Sequence, residues 1–391
     1  LVLIMLSGTS AMHMFVPALP QAGQVLGASI AAMQSTVTVY VIGLACGQLI
    51  YGPLSDGLGR RPVLLAGLAV YTVGGLWALL APDVESLIVA RLFQALGGAA
   101  GFAIARVITR DQARPEEAAR DLALLNLTSI VGPTLAPIIG STLAVTLGWR
   151  SILMLLVLLG CTSLLLTWRL LPETGRPSGQ IRFGTMLRDF KKLLVSPIYM
   201  GFAIGGSCAT TSSYAYLVTL PFLISMRLGR PLYEVGWYLG LFMTGTAMGI
   251  FVTRSLTRRF SVSALLMAGN LIALVSALSL LLVTLFGTLT VVNVVGLMFA
   301  YSVGAGTSSP TALAKSLNVD ASIVGSAGGL YGFLQTAIGA LCTFLAGFGD
   351  DPALTAAIVV ASATVLGQAA VTIALRAESR QRRAKRYSVT R

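Results

Sequence analysis

The feature that most constrains this chain is a succession of continuous apolar runs, each near the roughly 20 residues a helix needs to cross a bilayer, joined by short polar connections. Twelve such runs can be laid along the 391 residues. They are not barrel strands, which would alternate apolar and polar positions over about 10 residues. Nor can a soluble core absorb them: 55% of the residues are hydrophobic, 10% are charged and the mean hydropathy is +0.84, so a water-soluble fold would be left without a polar surface. The pattern predicts an all-α membrane protein of twelve transmembrane helices, each satisfying its own backbone N–H and C=O groups.

A net charge of +13 would point to nucleic acid in a soluble protein, but here its distribution decides. Basic residues fall in alternate loops: Arg60 and Arg61; Arg106, Arg110, Arg114 and Arg120; the stretch from Arg169 to Lys192; Arg254, Arg258 and Arg259; Lys315; and the tail from Arg376 to Arg391. The intervening loops hold only Arg150, Arg227 and Arg230. Positive charge stays on the cytoplasmic side, so both termini and the middle connector are expected inside, with lipid rather than nucleic acid as the contact of the basic tail. Cys46, Cys161, Cys208 and Cys342 lie in apolar runs without pairwise spacing, which indicates neither a disulfide framework nor a metal site. The chain opens at Leu1 inside an apolar run without an initiating methionine, and a cytoplasmic segment ahead of it is expected.

The composition changes abruptly between Pro172 and Ser196, dividing the chain into a six-helix bundle over 1–171, a cytoplasmic linker over 172–196, a second six-helix bundle over 197–376 and a basic tail over 377–391. Within the linker, Phe183 to Leu194 has apolar residues at helical spacing beside charges, the pattern of a short helix on the inner surface. The halves repeat one another. Gly43 to Gly47 aligns onto Gly245 to Gly249 at a shift of 202 positions, and at nearly the same shift His13 falls on Tyr214 and Pro20 on Pro221. Prolines at 17 and 20 are expected to end the first span at the outer face, and two more, Pro133 and Pro137, to bend span five.

The stretch from Tyr51 to Leu64 packs three glycines, two prolines, one acid and two arginines between two apolar runs, and reads as a tight turn in which Asp56 bonds the next helix start or pairs with Arg60 while the arginines face anionic headgroups. Gly52, Leu54, Asp56, Gly59, Arg60 and Arg61 resemble the G-x-L-x-D-x-x-G-R-R signature between helices two and three of the major facilitator superfamily. Arg91 and Gln94 are similar to that family's R-x-x-Q-G in span four, with Ala95 in the place of the glycine. Gly132, Pro133, Ala136 and Pro137 are similar to the antiporter motif of its bicyclomycin and chloramphenicol resistance branch. The resemblance implies two pseudo-symmetric bundles in a bacterial inner membrane, moving a small molecule by alternating access, with a proton gradient as the energy source and no cofactor. Proton-coupled efflux of amphiphilic drugs is the expected activity, import or facilitated passage of a small metabolite the alternative, and a monomer the expected state.

Ligand groups are expected on spans one, four, seven and ten: Met12, His13 and Phe15; Arg91 and Gln94; Tyr214; Asn293 and Tyr301. An arginine within a span is costly unless it faces a wet cavity or a partner. No catalytic cluster is visible: all fourteen acids lie in loops or at span ends, and His13 is the single histidine. The family's drug:proton antiporters carry an aspartate at the His13 position, ahead of Pro-Ala-Leu-Pro. Either His13 carries the proton, with Arg91 lowering its proton affinity by repulsion, or it is a neutral hydrogen-bonding ligand and coupling runs elsewhere, or, third, it only packs between helices.

Overall fold

The computed structural model describes residues 2–112, 115–175, 179, 183–319 and 323–389. No strand occurs among them. The helices are α1 (Val2–Phe15), a 3-10 turn (Val16–Ala18), α2 (Leu19–Leu26), α3 (Ile30–Leu58), α4 (Arg60–Leu80), α5 (Val84–Gln112), α6 (Pro115–Leu147), α7 (Arg150–Leu170), α8 (Phe183–Leu194), α9 (Pro197–Thr211), α10 (Ser213–Phe222), a π turn (Leu223–Arg227), α11 (Leu232–Leu256), α12 (Val262–Leu285), α13 (Val291–Leu317), α14 (Val324–Ala346) and α15 (Pro352–Val389). Among the described residues ten helices are long and apolar enough to cross a membrane, and twelve spans result if each of two bent helix pairs is one. The protein is an integral membrane protein of helical type.

Local chemistry sets the helix ends. Ser29, Ser196, Ser261 and Thr290 cap α3, α9, α12 and α13 by accepting from the N–H three residues on, and Gly27 ends α2 at φ 62°. Three expectations are corrected. Pro17 and Pro20 do not stop the first span: a 3-10 turn absorbs Pro17, Pro20 sits in the first turn of α2, where its missing N–H costs nothing, and the helix continues to Leu26. The Tyr51–Leu64 stretch is no extended turn, because α3 runs through Pro53, Asp56 and Gly57 and breaks only at Gly59, whose φ of 102° and ψ of 155° suit a residue without a Cβ. Pro53 removes one ladder bond near a helix end, which membrane helices tolerate. The basic stretch beyond residue 376 is not separate from the last span but continues α15 to Val389.

The chain packs into two compact units, whose boundaries differ from those of the two sequence halves. The first unit holds residues 1–183 together with 215–243 and 343–355; the second holds 184–214, 244–342 and 356–391. Within the first, α5 packs against α3 and α4, and α1 against α6. Small residues permit these approaches: a Cβ on Gly43 would lie 2.8 Å from Ala95 Cβ, one on Gly47 2.4 Å from Ala99 Cβ, and one on Gly67 2.3 Å from Ala100 Cβ. Within the second, α13 packs against α12 and α9. There a Cβ on Gly249 would lie 2.2 Å from Val303 O and one on Gly269 2.8 Å from Gly304 O. The glycines aligned by the 202-residue repeat thus make the same contact in each unit. In the second, α8 meets α9 at a bend of 87°, anchored by buried Leu193 beside Tyr199 and Leu330 and by the Ser326 hydroxyl donating to Asp189 at 2.9 Å.

Candidate functional site

The α3–α4 junction is held by carboxylates. Asp56 pairs with Arg60 one helical turn on, and Arg60 Nη1 also donates to Ser55 Oγ at 2.8 Å. Of the two partners open to Asp56 in the sequence, the structure selects Arg60. The opening N–H groups of α4 go elsewhere. Gly59 has no side chain to cap them and Pro62 has no N–H to give, so Arg60 N and Arg61 N donate to Glu173 Oε1 and Oε2 at 2.9 and 3.1 Å. Gly175 N donates to Oε1 at 2.9 Å as well. Desolvation raises the proton affinity of Glu173, but backbone bonds from Gly175, Arg60, Arg61 and Thr174 together outweigh it and hold the carboxyl below the usual range. Arg61 Nη2 donates to Trp168 O at 2.7 Å. Both arginines therefore bind protein groups where headgroup contact was expected. Glu173 was missed by the sequence reading, and the only signal was an acid between Pro172 and Thr174 directly after span six.

Arg91, on α5, is fully buried inside the first unit. Its Nη1 donates to Gln94 Oε1 at 2.7 Å and its Nη2 to Ala11 O at 3.1 Å, and its guanidinium carbon lies 4.1 Å from the Tyr40 ring centroid and 4.9 Å from that of Phe15. Aromatic faces and a carbonyl compensate the charge. Phe15 in turn meets Trp149 edge to face at 6.3 Å. Gln94 is also fully buried, and neither its Nε2 nor Arg91 Nε finds a partner. Met12 and His13 are buried on α1 in the turn that carries Ala11. The structure thus brings Phe15, Arg91 and Gln94 together at the α1–α5 contact, while Met12 and His13 are placed by burial on α1 alone.

The candidates of the second half separate. Tyr301 on α13 is buried in the second unit, donating to Ala209 O at 2.9 Å and sharing a 2.8 Å bond with Ser212 Oγ, where α9 gives way to α10. Tyr214 is half-buried against Gly339. Asn293 does not join them: it lies in the first turn of α13, its Nδ2 donating to Thr288 O at 3.1 Å. Gln335 on α14, passed over in the sequence because nothing in its spacing marks it, donates from Nε2 to Thr210 Oγ1 at 2.9 Å, while Thr211 Oγ1 donates to its backbone oxygen at 2.7 Å.

Gly132, Pro133, Ala136 and Pro137 all lie within α6, which stays helical through both prolines. A Cβ at Gly132 would come within 2.5 Å of Leu6 Cδ2, and one at Gly140 within 1.9 Å of Met14 O, so α1 and α6 touch through backbone. Further along α6, Gly236 of α11 meets Pro137 O and Ser141, and Gly240 meets Ile138. Gln34 Nε2 of α3 donates to Thr219 Oγ1 of α10 at 3.2 Å. Both contacts lie inside the first unit and join helices from different repeats.

A family model described as the Major Facilitator Superfamily matches residues 1–343. The chain belongs to this superfamily. Among curated members it is 33% identical over 211 residues to Multidrug resistance protein D of Escherichia coli, covering 53% of this chain and 52% of that one. It is 35% identical over 164 residues to a Chloramphenicol resistance protein of Pseudomonas aeruginosa (42% and 39% covered), and 31% over 214 residues to the transporter YdgK of Bacillus subtilis (54% and 53%). The aligned stretches span about half the length of these relatives. Solved superfamily structures share the fold at low identity: the nucleoside transporter NupG at TM-score 0.76, 15% identity and 95% and 98% coverage, and the xylose transporter XylE of E. coli at 0.70, 12% and 94% of each chain. The helical membrane fold expected from the apolar runs is the superfamily fold.

Proposed function

We propose that the chain is a proton-coupled secondary transporter that exports small amphiphilic drugs across a bacterial inner membrane by alternating access, with both termini on the cytoplasmic face. The observation that carries this reading is the packing inside the first unit. Segments 215–243 and 343–355 of the second repeat cluster with the first repeat, through Gln34 and Thr219 and through Gly236 and Gly240 on α6. By the charge pattern these contacts lie on the side away from the basic loops, as an outer closure would. The contact surface on α6 directly follows Pro133 and Pro137, so the bend motif and the closure share one helix. The relatives, multidrug and chloramphenicol resistance proteins by name, favour a drug as substrate and fit the drug:proton antiporter branch. His13 is the group nearest in type to a proton carrier in the buried part of α1, and Arg91 with Gln94 organises the contact of α5 with Ala11 on the same helix.

Inverted vesicles with an imposed pH gradient test the proposal. Accumulation of chloramphenicol or a fluorescent amphiphile that collapses with a protonophore is expected. Movement down the substrate gradient indifferent to pH would instead establish a facilitator. Unchanged proton-driven uptake by His13→Ala would remove His13 from coupling while leaving export in place.

A further inference from the structure

Inside the second unit, the seam where α9 and α10 meet α14 carries polar side chains at a place where the first repeat carries a methyl group. Its contacts run in register. A Cβ on Gly206 would lie 2.7 Å from Tyr331 Oη, Gln335 Nε2 donates to Thr210 Oγ1 at 2.9 Å, and a Cβ on Gly339 would lie 2.7 Å from Tyr214 Cδ2, so each pair is 125 positions apart. The α1–α6 seam of the first repeat packs in the same manner, with Leu6 against Gly132 and Met14 against Gly140. Gln335, midway between Tyr331 and Gly339, therefore holds the place that Ala136 holds between Gly132 and Gly140. Ala136 is buried, so a methyl group is enough to pack this position. An amide there is more than packing asks for.

Hydrogen-bond capacity fixes which way that amide faces. The single hydroxyl hydrogen of Thr210 is shared between Gly206 O at 2.8 Å and Ser207 O at 3.2 Å. Its oxygen is left to accept, and only the NH2 end of Gln335 can meet it. Thr211 Oγ1, donating to Gln335 O at 2.7 Å, holds the backbone of the same residue. The carbonyl end is turned away: Oε1 takes no hydrogen bond from the described residues, and the half-buried side chain leaves it within reach of a guest. One turn along the seam the half-buried Tyr214 ring lies against Gly339. One turn the other way, Tyr331 Oη and Ser207 Oγ are buried without a partner among the described residues. The seam thus holds more hydrogen-bonding capacity than the protein uses on itself.

That set of groups discriminates between guests. A carbonyl already oriented by Thr210 accepts from an O–H or N–H at little ordering cost, whereas an ether oxygen would face it acceptor to acceptor. A neutral amide also has no charge with which to offset the desolvation of a cation. A neutral amphiphile with a hydroxyl or amide hydrogen, its ring against Tyr214, satisfies both conditions.

We propose that Gln335, aligned by Thr210, selects neutral amphiphilic substrates through a hydrogen-bond donor on the substrate. The inference rests on the drug-export reading and adds the group that tells one drug from another. Equilibrium dialysis of the purified full chain in detergent, against chloramphenicol and against chloramphenicol with both hydroxyls methylated, tests it without a pH gradient. The wild type should bind the hydroxyl form about three- to tenfold more tightly. Gln335→Met, of similar volume but without the carbonyl, should bring the two affinities together. Thr210→Val keeps the amide but releases it, and should lower the preference by at least about twofold; a Gln335 that only fills space would not respond, and this variant serves if Gln335→Met fails to fold. Equal affinities in the wild type, or an undiminished preference in a folded variant, would overturn selection by Gln335 and leave drug export standing. Loss of tetraphenylphosphonium binding in Gln335→Met would overturn the restriction to neutral donors. Binding of neither form of chloramphenicol would overturn the drug reading itself, and this inference with it.

Discussion

Glu173 offers the sharpest test of how the α3–α4 junction is held. Its carboxylate caps the start of α4 from a connector more than a hundred residues away in sequence, accepting from Arg60 N and Arg61 N with both oxygens. A side-chain cap removed from a helix start costs about 0.5–2 kcal/mol, and a negative charge at that end adds about 0.3–1 kcal/mol where it is exposed. Glu173 is exposed to solvent, so the charge contribution belongs at the low end of its range. Glu173→Gln keeps the shape but leaves one oxygen to serve two donors and removes the charge; a loss of about 1–2 kcal/mol follows. That corresponds to a roughly 5- to 30-fold rise in local opening. Hydrogen exchange at the amides of Arg60 and Arg61 reads this opening directly, and Glu173→Ala should exceed Glu173→Gln.

The pH dependence follows from the same bonds. Because the folded carboxyl is held below the ordinary glutamate value of about 4.3, its contribution is complete above that value and disappears as the pH falls through the lowered one. Wild-type protection at these two amides should therefore be flat from neutral pH to about 5 and converge on the Glu173→Gln level only in stronger acid. Equal exchange in wild type and Glu173→Gln at pH 7 would falsify the cap.

Three further outcomes follow from the packing. Gly140→Ala places a Cβ 1.9 Å from Met14 O and should cost about 1–3 kcal/mol with a lower melting temperature, whereas Gly184→Ala, with open space at its Cβ in α8, should gain about 0.5–1 kcal/mol. Arg91→Lys should lose about 1–3 kcal/mol in thermal unfolding, since an ammonium cannot lie flat on Tyr40 while reaching Gln94 Oε1 and Ala11 O; a melting curve matching wild type would mean that the aromatic cradle contributes nothing. Gln34→Leu and Thr219→Val should couple by about 0.5–1.5 kcal/mol in a double-mutant cycle, read as labelling of Ser141→Cys by an impermeant maleimide in a cysteine-free background, and additive effects would refute a direct closure contact.

The sequence disclosed what is periodic and concealed what is not. Apolar length and the placement of arginines announced the helices, because crossing a bilayer imposes both requirements on every span. The Gly43 and Gly245 alignment announced close helix contacts, and the partners turn out to be α5 and α13. Proline misled at positions 17, 20 and 53: the rule that it breaks helices holds for interiors in water, whereas here one was absorbed by a 3-10 turn, one sat at a helix start and one fell in a membrane helix near its end. Glu173 could not be foreseen as a cap, since a lone acid carries no record of which backbone it will meet. Arg91 was legible as a residue that needs compensation, but not as one compensated by Tyr40, Phe15 and the Ala11 carbonyl, three partners drawn from two other helices. Asn293 looked like a cavity group by its span and proved to belong to a helix start.

The repeat also separates what is stiff from what can bend. In each unit a glycine pair locks one helix onto another at backbone distance, Gly43 and Gly47 on α5 and Gly245 and Gly249 on α13. Contacts of this kind cannot slide, because any shift drives backbone into backbone. The helices carrying the aligned pair His13 and Tyr214 are interrupted instead: α1 passes into a 3-10 turn after Phe15, and α9 passes into α10 at Ser212, beside the unit boundary after Tyr214. An interruption leaves ladder groups to be satisfied by side chains or by exchange of partners, and so offers two arrangements of similar energy where a locked contact offers one. Duplication has thus given each repeat the same pairing of a rigid glycine contact with a broken helix. The break after Phe15 and the break at Ser212 thus stand at corresponding places in the two repeats, each beside a helix held by backbone contact.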